Sequence, residues 1–372
     1  MKQIKPWLNE SKYIQPLSPA CQMCAQGSKM VVFVTGLCST GCYYCPLSLE
    51  KGGKDRIYAD EWELNHEHDY TTLLQEAKAI KATGAGITGG DPLLVWKRTA
   101  TYISLLKQTF GPSFHIHLYT SGLTNAEKIP KLISAGLDEI RFHPMPKDWE
   151  DMKKSPIKKT IQQTVLSNSD VALEIPVIPN MQHEIFSLIK WADKNNINWV
   201  NLNELEFSER NVAAFLNKGY HIKDDLSAAV LGSQETALQV LELVEKEDIG
   251  IGVHYCSISF KDGVQLRKRL LRRATSIAKK FEVITEDGTL LKGAIYKPKT
   301  ALQDLYSFLQ DTYDIPQKYL HIDNDKHRIE IGLWILEEIA EELTNQGCTC
   351  YLVEEYPTAD RLEVEKIPLP LL

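Results

Sequence analysis

The chain has 372 residues, and its 42 lysines and arginines against 49 aspartates and glutamates give a formal net charge of −7. This acidic balance argues against general adhesion to polyanions such as nucleic acids, although a local basic patch can still bind one. No run of 18 apolar residues occurs and the polar N-terminus lacks a signal-peptide core, so we expect a cytoplasmic protein without a membrane segment. The length exceeds the usual size of a single hydrophobic core, which predicts one large and one small domain.

Between residues 30 and 256, short apolar runs alternate with segments of helical periodicity, a pattern typical of parallel βα units. The predicted strands are 30–35, 84–88, 114–119, 138–142, 171–178 and 198–203, and the predicted helices are 71–83, 97–109, 125–135, 155–167, 182–195 and 209–218. A further helix at 234–247 precedes one more strand at 250–255. Six βα units predict an α/β fold, a partial (β/α)6 barrel of the triose-phosphate-isomerase type, with functional residues at the C-terminal ends of the strands.

Beyond residue 281 the pattern changes and predicts a small α+β domain. A hairpin is expected around Asp287 and Gly288, followed by helices at 300–311 and 328–344 and strands at 348–355 and 361–367. The predicted domain organisation is an N-terminal extension (1–29), the barrel (30–256), a basic amphipathic helix (257–280) and the C-terminal α+β domain (281–372).

Three cysteines, Cys38, Cys42 and Cys45, follow the first predicted barrel strand at C-x3-C-x2-C spacing. Three thiolates on one loop can bind three corners of a cubane iron–sulfur cluster and leave the fourth iron without a protein ligand. An open coordination position is what a reactive metal centre needs, whereas a structural site is closed. The spacing therefore favours a reactive iron–sulfur centre.

A zinc ribbon is the alternative, because Cys21-x2-Cys24 and Cys42-x2-Cys45 are separated by 17 residues. Cys38 would then be a spare thiol, and the protein a zinc-stapled binding module without catalysis. A ribbon requires nothing of the following residues, whereas a reactive cluster in a barrel requires the βα units and a glycine-rich acidic motif that do follow. We therefore favour the iron–sulfur interpretation.

Gly89-Gly90-Asp91-Pro92 follows the second predicted strand, where the glycines permit close backbone approach and Pro92 ends the strand. The cysteine spacing, with Tyr44 before the last cysteine, and this motif one βα unit later resemble the radical S-adenosylmethionine (radical SAM) family over about residues 30–205. More loosely, the chain is similar to an archaeal-type group related to pyruvate formate-lyase activating enzymes.

The resemblance implies an oxygen-sensitive [4Fe-4S] cluster on the three cysteines, with S-adenosylmethionine on the free iron. A reductant such as ferredoxin or flavodoxin would drive cleavage to methionine and a 5′-deoxyadenosyl radical, which abstracts a hydrogen atom. The glycine motif would bond the methionine amino group largely through backbone atoms, although Asp91 replaces the family's glutamate with a shorter side chain. The cofactor-binding candidates are Tyr44, Gly89, Gly90, Asp91, Pro92, Ser121, Glu174, Asn203 and Glu204.

Three residues are catalytic candidates because they lie at predicted strand ends. His143 follows the fourth strand and could face the substrate, and it could equally be an interior polar residue. His254 and Cys256 end the seventh strand, where a cysteine could donate a hydrogen atom or hold an auxiliary cofactor. The alternative for Cys256 is a buried thiol without a catalytic role, since free cysteines are often buried.

Two further cysteine pairs, Cys21 with Cys24 and Cys348 with Cys350, predict a second metal site that holds iron or zinc with four sulfurs. The alternatives are a second iron–sulfur cluster that also uses Cys256, or no metal at all. Cys348 and Cys350 alternate along a predicted strand, so they could simply pack on the same side.

The basic helix carries seven arginines and lysines between residues 264 and 280 beside an apolar face. It could contact RNA phosphate, an acidic protein or a phosphorylated substrate, or it could pair with glutamates near 337–342. The predicted function is therefore a radical SAM enzyme that modifies a macromolecule, either RNA or protein. The alternative is an activating enzyme for a glycyl-radical partner, and the C-terminal domain is expected to set the substrate.

Overall fold

The structure, a computed structural model, describes residues 3–225, 227–247 and 249–370. The chain divides into two compact units. The first runs to Leu266, and the second begins at Arg267 and also includes Ala79–Lys81. Within the described residues, none of the helices has the length and apolar character needed to cross a membrane.

The first unit is organised around a sheet of parallel strands with antiparallel strands added at both edges. The strand order is β1-β2-β13-β10-β9-β8-β7-β6-β3-β4-β5, in which β3, β6 to β10 and β13 pair in parallel. A separate pair is formed by β11 and β12. The strands are β1 (Lys5–Pro6), β2 (Lys12–Ile14), β3 (Lys29–Phe33), β4 (Tyr58–Ala59), β5 (Trp62–Glu63), β6 (Gly84–Thr88), β7 (His115–Thr120), β8 (Glu139–Phe142), β9 (Asp170–Val177), β10 (Trp199–Glu204), β11 (Ile222–Asp224), β12 (Ser227–Val230) and β13 (Gly252–Cys256).

Helices connect these parallel strands, as the alternation of apolar periods predicts. The helices are α1 (Pro19–Ala25), α2 (Tyr70–Ala79), α3 (Trp96–Phe110), α4 (Ile129–Ser134), α5 (Lys158–Val165), α6 (Gln182–Lys194), α7 (Val212–Asn217), α8 (Ser233–Lys246) and α9 (Ile258–Phe260). Helix α6 illustrates the packing, because Ile185, Leu188, Ile189 and Ala192 recur at helical spacing and are all fully buried. The predicted strands and helices of this region lie within a few residues of the observed ones, and the strand expected at 250–255 is confirmed as β13.

One face of the parallel sheet carries polar side chains from several neighbouring strands. Residues two apart on a strand share a face, and Glu139 and Arg141 of β8 do so. Arg141 pairs in register with Tyr119 of β7. Glu174 of β9 pairs with Asn201 of β10, which in turn pairs with His254 of β13. These strands therefore bring polar groups together in rows across the sheet.

The second unit is an antiparallel sheet with helices packed on one face. The strand order is β16-β17-β15-β18-β19, with β14 paired to β15. The apolar cluster on the helix-covered face includes Ile295, Leu309, Ile329, Leu336 and Cys350. The elements are α10 (Arg267–Ile277), β14 (Val283–Ile284), β15 (Leu290–Tyr296), α11 (Leu302–Tyr313), β16 (Leu320–Asp323), β17 (Arg328–Ile331), α12 (Leu333–Asn345), β18 (Thr349–Glu355) and β19 (Glu363–Leu369).

Two predicted boundaries in the C-terminal region are wrong, and one predicted feature is confirmed. The helix expected over 328–344 begins only at Leu333, because 328–331 forms strand β17 with alternating charged and apolar residues. The basic helix expected over 264–280 begins at Arg267 and ends at Ile277, because a π-helical turn occupies Lys261–Leu266. The hairpin around Asp287 and Gly288 is present, since β14 and β15 pair antiparallel.

The opposite face of this sheet buries a cluster of charged side chains. The ammonium group of Lys292 lies 2.6 Å from a carboxylate oxygen of Glu355 and 2.5 Å from one of Glu330. Arg328 is buried and bonds Glu330 at 2.9 Å. Lys279, just after α10, bonds Glu330 at the same distance. Part of the positive charge near the basic helix is therefore paired within the second unit, with Glu330 and not with the glutamates near 337–342.

Candidate active site

The loop that carries Cys38, Cys42 and Cys45, here called the cluster loop (residues 34–57), is tied at both ends. Arg98 of α3 donates one hydrogen bond to the Val34 carbonyl at 2.8 Å and another to the Asp55 carboxylate at 2.7 Å. The Thr35 hydroxyl donates to the same carboxylate at 2.8 Å. These bonds fix the two ends of the cluster loop, and the three cysteines lie between those ends.

The three thiols differ in exposure, since Cys38 is exposed whereas Cys42 and Cys45 are half-buried. The Thr40 hydroxyl lies 3.0 Å from the Cys38 sulfur and 3.6 Å from the Cys42 sulfur. Burial raises the pKa of Cys42, but hydrogen bonds from His143 and Thr40 outweigh it and lower the pKa to about 7. Burial raises the pKa of Cys45.

Three thiols on one short loop are soft ligands, and this donor set suits an iron–sulfur cluster with one open iron. The lowered pKa of Cys42 favours the thiolate form that binds metal. Across the described ranges, no three or more His, Cys, Asp or Glu side chains already stand in an arrangement that could hold a metal ion.

Tyr44 and His143 connect the cluster loop to the end of β8. The Tyr44 hydroxyl lies 2.8 Å from Nε2 of His143, and Nδ1 of His143 lies 2.8 Å from the main-chain oxygen of Glu174. Tyr44 is buried. The ring of His143 is therefore held between the cluster loop and β9, close to Cys42.

The motif Gly89-Gly90-Asp91-Pro92 lies directly against the start of the cluster loop. The Gly90 amide donates to the Thr35 carbonyl at 2.6 Å, and the Asp91 amide donates to the Leu37 carbonyl at 2.8 Å. A β-carbon would lie 2.3 Å from the Thr35 oxygen if added at Gly89, and 2.0 Å from the Leu37 oxygen if added at Gly90. Glycine is required at both positions because two backbones meet there.

The carboxylate of Asp91 is fully buried and accepts four hydrogen bonds. It receives the Thr120 hydroxyl at 2.8 Å, the Ser121 hydroxyl at 2.5 Å and the Ser121 amide at 3.2 Å, together with the Leu93 amide at 3.1 Å. The side chain thus fastens the end of β7 to the glycine motif. Asp91, although shorter than the glutamate usual in this motif, is therefore held by hydrogen bonds from Thr120, Ser121 and Leu93.

Glu174 is the centre of a buried polar network. Its carboxylate accepts hydrogen bonds from Arg141 at 2.8 Å, Asn201 at 2.8 Å and Asn203 at 2.6 Å. Burial raises the pKa of Glu174, but Arg141 and the two amides outweigh it and lower the pKa below its usual value. Glu174 is therefore an ionised carboxylate with three donors around it.

The remaining candidates lie where β10 and β13 end. Glu204 is buried and accepts the Ile258 amide at 2.8 Å, so it holds the segment that follows β13. His254 and Cys256 are both buried on β13. The Gln265 amide lies 3.9 Å from the Cys256 sulfur, and burial raises the pKa of this thiol well above its usual value.

The second cysteine set divides between the two units. Cys21 and Cys24 lie on α1 of the first unit, and Cys21 contacts Arg141 and Asn201. Cys348 and Cys350 lie in the apolar cluster of the second unit. The joint metal site that these four residues could form stays a prediction.

Sequence reasoning missed Thr35, Asp55 and Arg98, which hold the cluster loop in place. Each is a common polar residue, and its partners lie between 20 and 64 positions away in the sequence for the bonds described here. No local pattern marks such contacts. Arg141 falls within the fourth predicted strand, 138–142, but its bonds to Glu174 and Cys21 became evident only from the fold.

Comparisons with known proteins identify families and relatives that this chain resembles. The model of the radical SAM superfamily matches residues 32–171, and a domain of unknown function, DUF8061, matches residues 288–369. A protein of Methanocaldococcus jannaschii that carries the provisional name glycyl-radical enzyme activating enzyme is 40% identical over 378 residues, which is 99% of this chain and 96% of the relative.

Solved structures give weaker likenesses. SuiB of Streptococcus suis bound to its precursor peptide SuiA has a TM-score of 0.44 and 12% identity, over 62% of this chain and 48% of that one. The radical S-adenosylmethionine methyltransferase TsrM of Kitasatospora setae has a TM-score of 0.36 and 10% identity, over 67% of this chain and 52% of that one. The chain thus spans about half the length of these proteins.

The chain belongs to the radical SAM superfamily, because the family model covers the cluster loop and the glycine motif and the curated relative covers nearly the whole chain. It is therefore an enzyme of this class, and its cofactors are a [4Fe-4S] cluster and S-adenosylmethionine. Family membership decides against the zinc-stapled binding module.

Proposed function

We propose that this radical SAM enzyme abstracts a hydrogen atom from a polypeptide substrate. The observation that carries the proposal is the 40% identity, over nearly the whole chain, to a relative named as an activating enzyme for another enzyme. That name describes a protein partner. A glycyl-radical enzyme is the more specific second candidate, and the same observation favours it.

The cluster loop supplies the metal ligands in this proposal. Cys38, Cys42 and Cys45 would hold three irons, and Thr40 lies between two of these thiols. When bound, the cluster supplies the electron that cleaves S-adenosylmethionine, and the resulting radical takes hydrogen from the substrate. A ferredoxin or flavodoxin is the proposed source of that electron.

We assign the walls of the cofactor site to residues whose side chains are hydrogen-bonded to neighbouring residues. Tyr44 bonds to His143, Ser121 bonds to Asp91, and Glu204 accepts a hydrogen bond from the Ile258 amide. These contacts support roles in shaping the site. The proposed cofactor-binding set is Tyr44, Gly89, Gly90, Asp91, Pro92, Ser121, Glu174, Asn203 and Glu204, in which the glycine motif acts through its backbone.

Cys256 is the proposed hydrogen-atom donor among the catalytic candidates. Burial keeps its thiol protonated, and a hydrogen-atom donor needs an intact S–H bond. It pairs in register with Asn203, which bonds Glu174. His143 is proposed to position the cluster loop, since both of its ring nitrogens are engaged with neighbouring groups.

A polypeptide is favoured over RNA by the contacts of the basic helix. Arg272 donates to the Ile80 carbonyl at 2.7 Å, and Arg273 is buried and donates to the Pro357 carbonyl. Arg267 lies 3.3 Å from Asp287. These side chains are occupied within the second unit, which leaves less positive charge for RNA phosphate.

The order of the parallel strands supports the proposal that the first unit is a partial barrel with six βα units and one further strand. We propose that the second unit is the α+β domain that sets the substrate, with the domain limits given by the sequence. Eight free thiols suit a reducing compartment, so a cytoplasmic location is proposed.

Deuterium transfer tests the substrate class. Protein and RNA fractions from deuterated cells of the native host are each incubated anaerobically with the enzyme, S-adenosylmethionine and dithionite, and 5′-deoxyadenosine is analysed by mass spectrometry. We expect deuterium from the protein fraction, lost after protease treatment and kept after ribonuclease treatment. Transfer from the RNA fraction alone would contradict the proposal. A persistent carbon radical on the target, seen by electron paramagnetic resonance, would favour the glycyl-radical candidate.

A further inference from the structure

Three lysines surround one tryptophan on the first unit, among residues that the proposed function does not use. The ammonium groups of Lys97, Lys128 and Lys131 lie 5.9, 5.7 and 4.8 Å from the centroid of the Trp96 ring. These four residues are here called the lysine patch. We propose that the lysine patch docks an acidic electron-carrier protein. This assignment rests on the proposed function, in which a ferredoxin or flavodoxin supplies the electron.

Neighbouring carboxylates neutralise only part of the charge on the lysine patch. Lys128 pairs with Glu127 at 3.2 Å, and this carboxylate is exposed. Among the residues described by the structure, neither Lys97 nor Lys131 forms an ion pair with a carboxylate. Three ammonium groups around one ring also repel one another. An excess of positive charge on a chain of net charge −7 therefore favours a partner with an acidic surface.

The lysine patch adjoins the exposed side of the cluster loop. The segment after β7 carries two of the lysines, and its Asn125 side chain donates to the Leu93 carbonyl, just before the tryptophan, at 3.0 Å. In the same segment the Thr124 hydroxyl donates to the Ser39 hydroxyl at 2.9 Å. Ser39 follows Cys38, the exposed thiol of the cluster loop. A protein seated on the lysine patch therefore lies beside a proposed cluster ligand that solvent can reach.

Exposed leucines border this contact and supply apolar area. Leu37, which precedes Cys38, is 37% exposed, and Leu123, which precedes Thr124, is 41% exposed. Protein interfaces combine an apolar centre, in which tryptophan is enriched, with a polar rim. Electron-transfer complexes are weak and bury little area, so a small surface of this kind is sufficient. Two leucines, a half-buried tryptophan ring and three lysines match this composition.

An electron carrier is the anionic partner that this position favours. The transfer needs two redox centres to approach each other across a surface, and it needs no cavity. The carrier gives up one electron, the bound cluster gains it, and no bond forms or breaks. RNA is the other anionic partner to be tested. Proteins that bind single strands, however, stack successive bases on several aromatic rings, whereas the lysine patch holds one ring.

Stopped-flow reduction of the cluster-loaded, full-length protein tests the docking site. Fully reduced flavodoxin, an acidic one-electron carrier, is mixed anaerobically with the oxidised enzyme at several salt concentrations, and the flavin semiquinone that forms gives the second-order rate constant. In Lys97→Glu/Lys131→Glu we expect this constant to fall about tenfold or more at low salt, because the charges that steer the encounter are reversed. Lys194→Glu/Lys246→Glu changes two exposed lysines in the last turns of α6 and α8 and should react like the wild type.

Dithionite distinguishes a failure of this docking site from a failure of the proposed function, because a small reductant needs no protein interface. With dithionite, Lys97→Glu/Lys131→Glu should bind about four irons and form 5′-deoxyadenosine at the wild-type rate. No 5′-deoxyadenosine from the wild type would contradict the radical chemistry itself. An equal flavodoxin rate in the two charge-reversed proteins, or a wild-type rate independent of salt, would overturn the docking site. Binding of a single-stranded RNA oligonucleotide that only Lys97→Glu/Lys131→Glu loses, with the flavodoxin rate unchanged, would also overturn it.

Discussion

The hydroxyl of Tyr44 lies 2.8 Å from Nε2 of His143, which links the cluster loop to the end of strand β8. The other nitrogen of the same ring lies 2.8 Å from the main-chain oxygen of Glu174 on the next strand. Cys42 is two residues before Tyr44, and a hydrogen bond from His143 contributes most to lowering the pKa of Cys42. The position of Cys42, a proposed cluster ligand, therefore depends on a hydrogen bond between two residues 99 positions apart.

A double-mutant cycle measures this link. Tyr44→Phe, His143→Ala and the double variant are compared in urea unfolding, and we expect a coupling energy of about 1 kcal/mol because the single bond is lost in each variant. Tyr43→Phe serves as the matched control and should show no coupling to His143. Fully additive effects of the Tyr44 and His143 changes would contradict the link.

The glycine motif should tolerate no β-carbon at Gly90. In Gly90→Ala the new carbon would meet the backbone oxygen of Leu37, which cannot rotate away. We expect a loss of about 1–3 kcal/mol in unfolding free energy and a fall in bound iron, since the cluster loop must move. Gly41→Ala lies on the same loop with nothing within 4 Å of its β-carbon and should keep both properties. Equal behaviour of the two variants would refute the close backbone contact.

The stability of the protein should fall both when the charge of Asp91 is removed and when its side chain is lengthened. Asp91→Asn places amide hydrogens opposite donors from Thr120 and Ser121, and we expect a loss of about 1–3 kcal/mol in stability. Asp91→Glu restores the acid usual in the family but must fit one more methylene into a fully buried site. We expect it to be destabilised as well, by denaturant unfolding. A glutamate variant as stable as the wild type would show that the site has spare room.

Lys29 should make stability rise with pH. It is 4% exposed, and burial lowers its pKa to about 7, with Nζ 2.7 Å from Nδ1 of His115. Between pH 7 and about 10 the unfolded lysine binds a proton that the folded one does not, so stability increases with pH in this window.

The difference in unfolding free energy between wild type and Lys29→Met should therefore rise by up to about 1.4 kcal/mol per pH unit between pH 7 and 10. Urea unfolding at pH 7, 8 and 9 under reducing conditions measures it. Lys153→Met, at an exposed site, should give a constant difference. A constant difference for Lys29→Met too would show that Lys29 keeps an ordinary pKa.

The sequence predicted the parallel strands and their helices well because hydrophobic periodicity dominates buried βα units. The two motifs, the three cysteines of the cluster loop and Gly89-Gly90-Asp91-Pro92, could also be recognised from the sequence, because the residues of each lie close together in the chain. Sequence reasoning missed β17 because Arg328-Ile-Glu-Ile is short and half charged, and buried partners of these charges, Lys292 and Glu355, lie far away in the sequence.

Contacts between distant residues account for most of what was missed at the site. β2 pairs with β13, more than 200 residues later, and no local signal announces this pairing. The same holds for Asp91 with Ser121 and for Arg141 with Cys21, since a polar residue at a strand end has many partners open to it. The fold determines which of these partners each polar residue contacts, and the candidate residues thereby form a hydrogen-bonded network.

Iron content and S-adenosylmethionine cleavage test the central claim most directly. Protein reconstituted anaerobically is analysed for iron and sulfide, and 5′-deoxyadenosine is measured after addition of S-adenosylmethionine and dithionite. We expect about four irons per chain with 5′-deoxyadenosine formed, both lost in Cys38→Ala and both kept in Cys348→Ala/Cys350→Ala. Zinc in place of iron with intact S-adenosylmethionine, unchanged by Cys38→Ala, would contradict the account.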